Sequence, residues 1–298
     1  MLTFDEILGI VYLLLTVAGF LGNFILLLLS SIQFLIAHRT RPKNLIILNL
    51  AFSNVMVLVF RGIPTTTRLW RVKCSLDKTG IKIITYMQIL TRTLSLCSTC
   101  LLSVFQAITI SPSNSIWAQF KMRARKDILL FFLCLWLFSL LFNIILFMYY
   151  AGTNNITDSK FGCNAGYRLL DVFNKKHEEF VIIIDVHNIL FMFLMIFSSV
   201  YMVSILYQHK KHVNHIHRNS LSTKISPETR ATQAIMLIVC IFVLFNIFSP
   251  IFDLCMFYFK YTYTWMIHSS TLLSLWYPTV SSLILICIDK QIPRTSAH

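Results

Sequence analysis

The sequence predicts an all-α membrane protein: a seven-transmembrane helix bundle with its N-terminus outside the cell and its C-terminus in the cytoplasm. Three observations predict it. Of 298 residues, 56% are hydrophobic and only 13% charged, with a mean hydropathy of +0.71; the charged share is about half that of a soluble domain. The hydrophobic residues fall into seven long runs, and the basic residues that give the chain its net charge of +14 gather in alternate connections between them.

The uncharged stretch Ile7–Ala37, 31 residues long, predicts the first span, over 7–36. Asp5 and Glu6 precede it where a cleaved secretory signal has basic residues, and the run far exceeds the apolar segment of such a signal. It is read as a retained span. The basic connection HRTRPK leads to the second span, over 44–62. The third, over 81–110, is the least apolar because Lys82 and Arg92 interrupt it. Ser111-Pro112 closes it, since the residue before a proline is pushed out of helical geometry. The fourth covers 128–151, the fifth 179–208 with Asp185 inside, the sixth 231–258 with Asp253, and the seventh 264–288 with Pro278. At 1.5 Å per residue each run reaches across a hydrocarbon layer roughly 30 Å thick. The seven form a single domain over 1–298.

Orientation follows from loop charge. The connections after spans one, three and five, with the tail, carry 14 basic and three acidic residues, against ten and seven on the other side. The excess of Lys and Arg marks the cytoplasmic face. Residues 61–80 run against this trend, with five basic residues on the outer side. Asn155-Ile156-Thr157, the one N-x-S/T tripeptide, falls in an outer loop and makes Asn155 a candidate glycosylation site. The basic strip that follows Ser111-Pro112 is expected to face anionic inner-leaflet lipid.

Several functions are excluded. No nucleic-acid recognition module accompanies the positive charge. No GxSxG, HExxH, Walker or kinase signature occurs, so no catalytic residues and no cofactor are expected. Cys97 and Cys100 form a CSTC within an apolar run and read as packing residues. His209, His212, His215 and His217 lie irregularly among Lys and Arg, as a basic face rather than a metal site.

Ionisable groups inside a membrane are costly and face a bundle interior or cavity. Arg92 lies eleven residues into the third span, about 16 Å from its outer end, with Gln88 and Tyr86 above it. Asp185 is the obvious partner for Arg92, and His187 and Asn188 follow it, only some of that trio being expected to face inward. Asp253 and His268 lie near the outer ends of spans six and seven. Tyr86, Gln88, Arg92, Asp185, Asp253 and His268 therefore outline a crevice open to the outside, fit for a small ligand. Asn23, Asn49 and Asn54 are expected to hydrogen-bond across helices, and Pro278 to bend the seventh. Such a bundle suits a receptor; a seven-span small-molecule transporter is the alternative.

Particular segments go further. STCLLSVFQAITISPSNSIWAQFK at 98–121, RGIP at 61–64, HKKHVNHIHR at 209–218, SPETRATQAIMLIV at 226–239 and YPTVS at 277–281 resemble vomeronasal type-1 receptors. The resemblance spans the chain from the second span to the seventh. It implies a G-protein-coupled receptor of chemosensory neurons, a pheromone-like small-molecule ligand and an inhibitory-type heterotrimeric G protein at the cytoplasmic side. Lys82, Tyr86 and Arg92 match family positions. Arg230, Thr232 and Gln233 fall in the family's stretch at the base of span six; with Lys121, Arg123, Lys210 and Lys211 they are candidates to face the G protein. Phe105-Gln106-Ala107 stands where most rhodopsin-like receptors have Asp-Arg-Tyr, so that triplet provides no ionic lock.

Two positions depart from the family. Ile81 replaces a cysteine that the resemblance would pair with Cys163, and Cys74 is the nearest substitute, so a Cys74–Cys163 disulfide is expected, with an unpaired Cys163 as the alternative. Ser282 stands where proline is common. The two departures leave a divergent, weakly functional receptor as a further alternative.

Overall fold

The computed structural model describes residues 4–36, 42–70, 78–112, 128–153, 175–216 and 264–291, and scattered positions between 236 and 255. The described chain is helical. Span one is Phe4–Ile36, span three Lys78–Ile110, span four Ile128–Thr153, span five Lys175–Ile216 and span seven Thr264–Gln291. Span two is compound: an α-helix Pro42–Val57, a π-helical turn Leu58–Gly62 and a short helix Ile63–Leu69. Five of these are long and apolar enough to cross a membrane, by the stretches Phe4–Gln33, Asn44–Thr67, Ile83–Ile110, Ile182–Ile205 and His268–Cys287, and span four holds the shorter apolar stretch Leu130–Ile145. Described positions of the predicted sixth span, such as Met236, Leu244 and Phe252, are also helical.

Two helices run further than their charge-free cores. Span five continues through His209-Lys210-Lys211 to Ile216, because nothing between 175 and 216 breaks a helix: the segment has neither Gly nor Pro, and Lys, His and Asn, though polar, cost a helix only a few tenths of a kcal/mol each. Span two passes Arg61 and Gly62 because Pro64 falls in the first turn of the next helix, where a missing N–H is tolerated. Span three ends at Ile110, and the Ser111 N–H still donates to the Ala107 carbonyl at 3.2 Å before Pro112.

Side-chain contacts fix the direction of each helix. Asn23 meets Asn54, Thr16 lies at Gly62 and Gln33 accepts from Asn44, so spans one and two are antiparallel. Asn54 with Ser95 and Asn49 with Ser98 reverse the direction again. Tyr86 against Phe147 and Thr93 against Asn143 turn span four back, whereas Ser103 with Ser198 and Ser111 with Tyr201 set span five parallel to span three. Tyr12 meets His268 and Asn23 meets Pro278, so span seven runs alongside span one. Spans one, three, five and seven therefore begin at one end of the bundle, called here the head.

Span three is the most enclosed, packed against spans two, four and five. Although span seven, not span three, has the lowest mean hydropathy of the five membrane-crossing stretches, that enclosure explains why span three can carry so many hydroxyls. Its surroundings are protein, so hydroxyls replace methyl groups and bond back to the preceding turn: Ser98 to Leu94 O at 2.6 Å, Thr99 to Ser95 O at 2.9 Å, Thr93 to Ile89 O at 3.1 Å. Leu26, Ile46, Leu50, Leu102, Phe105 and Met195 form the apolar centre. Leu14, Leu133, Leu190 and Phe193 point outward, as a lipid-facing surface requires.

Asparagines join the helices. The Asn23 amide donates to Gly19 O at 2.8 Å in its own helix and to Pro278 O at 2.9 Å in span seven. The Asn54 amide donates to Asn23 Oδ1 at 3.3 Å and Ser281 Oγ at 3.2 Å, while its Oδ1 accepts from Ser95 Oγ at 2.9 Å. Asn49 donates to Ser98 Oγ at 2.7 Å and accepts from Trp136 Nε1 at 2.9 Å. Spans one, two, three, four and seven are thereby linked. Spans one and seven also approach closely: a Cβ on Gly19 would come within 2.5 Å of Thr279 Oγ1, and one on Gly22 within 2.5 Å of Ser282 Oγ. Ser282 itself donates to Thr279 O at 2.8 Å.

Replacing Asn54 with Ala removes three interhelical bonds and leaves buried partners unsatisfied. The expected loss is about 1–2 kcal/mol, read as a lower midpoint of thermal unfolding in nanodiscs. Asn44→Ala, which removes one bond to Gln33 at the bundle edge, should shift that midpoint by less.

Candidate functional site

At the head, the polar residues of spans one, three, four, five and seven lie near one another in depth. Tyr12 is buried in span one; its hydroxyl donates to the His268 carbonyl at 3.0 Å and lies 3.2 Å from His268 Nδ1. His268, expected to line a crevice, is thus buried and fastened to span one. Tyr12 gave no warning in the sequence, because one tyrosine in a long apolar run reads as packing or lipid contact.

Gln88 has a definite partner. Its Nε2 donates to the Phe60 carbonyl of span two at 2.9 Å. In an unbroken α-helix that carbonyl would accept from the nitrogen of residue 64, but residue 64 is proline and has no N–H. Gln88 supplies the absent donor. The three threonines that follow Pro64 bond back one turn: Thr65 to Arg61 O at 2.7 Å, Thr66 to Gly62 O at 2.9 Å, Thr67 to Ile63 O at 3.0 Å. Together these bonds carry the backbone through the π turn with its polar groups paired.

On the same helix, Tyr86 is half-buried edge-on to Phe147 of span four, with ring centroids 5.5 Å apart. Arg92, further along, is half-buried. Thr93, its neighbour, is buried within 3.4 Å of Asn143 Oδ1 of span four. Asn143 adjoins Phe142, whose ring stacks on His187 of span five at 4.6 Å between centroids. This chain of contacts puts Arg92, Thr93, Asn143 and His187 in one layer.

Asp185, His187 and Asn188 are all buried. They need not all face inward to be buried, because two faces of span five are covered at once: Phe138 and Phe142 of span four enclose His187, while another face packs on span three. Phe191, one turn along, holds the imidazole from its own helix at 4.8 Å. The Asn188 side chain hydrogen-bonds that imidazole.

Asp253, Asn155, Cys74 and Cys163 lie outside the described residues, as do Lys121, Arg123, Arg230, Thr232 and Gln233. Lys210 and Lys211 fall in the final turns of span five. Gln106, in the position that lacks the Asp-Arg-Tyr triplet, is buried between Phe105 and Ala107. Among the described residues no group of three His, Cys, Asp or Glu side chains is placed to hold a metal.

Residues 7–298 match the family described as "Vomeronasal organ pheromone receptor family". Vomeronasal type-1 receptor 4 of Homo sapiens is 35% identical over 280 residues, covering 94% of this chain and 93% of that protein. Vomeronasal type-1 receptor 90 of Rattus norvegicus is 37% identical over 235 residues, covering 76% and 74%. Among solved structures, squid rhodopsin superposes with a TM-score of 0.70 at 17% identity, over 98% of this chain and 85% of that chain; this likeness concerns the fold.

Gln88→Leu should strand the Phe60 carbonyl and lower stability by about 1–3 kcal/mol. Adding Pro64→Ala, which restores a backbone donor at 64, should recover part of that loss. Thermal unfolding of the single and double variants checks both.

Proposed function

The chain belongs to the vomeronasal type-1 receptor family and has the seven-helix fold of rhodopsin; from this membership we propose that it detects a small pheromone-like molecule and signals through an inhibitory-type heterotrimeric G protein. It is a G-protein-coupled receptor of the plasma membrane, multi-pass, and not an enzyme. The observation that carries the reading is the family match over residues 7–298. Tyr86, Arg92, Asp185 and His268, on the head halves of spans three, five and seven, support a ligand site there, since ionisable groups held within a membrane bundle mark binding or relay sites.

In this reading the head faces outward and the N-terminus is extracellular, which agrees with the charge asymmetry of the connections. Asn155 then carries a glycan, Cys74 and Cys163 form the outer disulfide, and Asp253 completes the mouth of the crevice. Lys121, Arg123, Lys210, Lys211, Arg230, Thr232 and Gln233 meet the G protein beside anionic lipid. Ligand binding favours one of two arrangements of the bundle, and the inner surface passes that preference to its partner. Arg92 bonds an acceptor on the ligand or, paired with Asp185, holds spans three and five in the resting arrangement.

Membranes carrying the chain, exposed to a chemical panel with added inhibitory-type G protein, should show ligand-stimulated nucleotide exchange. Accumulation of a panel member in sealed vesicles without exchange would replace the receptor with a transporter. Arg92→Ala should abolish the response at normal surface expression; unchanged potency would remove Arg92 from the site.

A further inference from the structure

Two polar atoms on span five stand out. His187 and Asn188 are 9% and 6% exposed. Yet His187 Nε2 and Asn188 Nδ2 have no hydrogen-bond partner among the described residues. A buried donor or acceptor left unmade costs about as much as several good contacts return, and the remedy is cheap: leucine or phenylalanine would fill the same space. The imidazole is also held in place. Phe142 stacks on it at 4.6 Å, Phe191 flanks it at 4.8 Å, and Asn188 bonds it from the adjoining position. The pair is a rigid polar couple whose outward valences remain open, in the layer that holds Arg92.

We infer that His187 and Asn188 form a recognition couple for the hydroxyl of a small, otherwise apolar ligand, an alcohol rather than a ketone or a hydrocarbon. An amide Nδ2 can only donate, so whatever satisfies Asn188 presents an acceptor. The bond between the two side chains leaves Nε2 and Nδ2 open, so it runs from the imidazole Nδ1–H to Asn188 Oδ1, and Nε2 of the neutral ring is an acceptor. A hydroxyl, both donor and acceptor, matches the couple; a carbonyl can meet only the Asn188 donor. A site of this kind discriminates through refusal: a hydrocarbon of the same shape leaves both atoms unpaired. The inference rests on the receptor reading for its purpose, though not for its chemistry.

The test uses the full-length chain in nanodiscs and the double variant His187→Phe/Asn188→Leu, which removes both open atoms together with the bond between them. Without ligand, the variant should unfold at a midpoint equal to wild type or up to about 2–4 °C higher. A lower midpoint would mean that these groups, or waters bound to them, hold the fold together, and would overturn the inference. Matched skeletons supply the probes: borneol, camphor and bornane, and cyclododecanol, cyclododecanone and cyclododecane. The alcohols should bind wild type roughly tenfold or more tightly than the hydrocarbons, with the ketones weaker than the alcohols, and that preference should be lost in the variant. Equal binding of alcohols and hydrocarbons, or binding by none, would overturn the assignment. Nucleotide exchange separates the two claims. A hydroxyl preference without exchange keeps the couple and sinks the receptor reading; exchange indifferent to the hydroxyl and to the variant does the reverse.

Discussion

Lipid offers no hydrogen bonds, so each polar group within the spans must find its partner inside the protein. That constraint organises the bundle more than hydrophobicity does, because apolar side chains gain little by leaving hydrocarbon for one another. Here the partners are other helices. Asn23 reaches span seven, Asn54 reaches spans one, three and seven, and Asn49 reaches spans three and four. Relative rotation and depth of five helices are set by these few amides, with glycines at 19 and 22 allowing the approach that brings the first and last together.

The same rule accounts for span two. A proline within a helix opens a gap in the ladder of backbone bonds, and water would ordinarily fill it. Inside the bundle a side chain from the next helix does so. Gln88 closes the gap that Pro64 leaves at Phe60, which converts a local defect into a tie between spans two and three. The head owes part of its shape to this substitution of a side chain for a backbone group.

Much of this architecture was legible in the sequence. Span positions followed from uncharged runs, and the role of Asn23, Asn49 and Asn54 as interhelical bonds followed from the expense of an unpaired amide. What the sequence hid was which way each helix is turned. Spans four and five show almost no helical periodicity, which gives no inward face. His187 with Asn188 therefore could not both be assigned to the interior although both are buried, and Tyr12, one ring in a long apolar run, passed for packing. The bond that Gln88 makes was hidden because its acceptor belongs to another helix and lacks a backbone donor only on account of Pro64. Helix ends beyond the apolar cores were missed for a different reason: Lys, His and Asn interrupt hydropathy without interrupting helix.

Asn54 and its neighbours Asn23, Ser95 and Ser281 carry no formal charge. An ion at that depth would feel the transmembrane voltage, worth about 2.3 kcal/mol per elementary charge over 100 mV. Amide and hydroxyl groups present that voltage with no net charge to act on. The junction at the heart of the bundle therefore holds its helices together by bonds that a change of membrane potential leaves almost untouched.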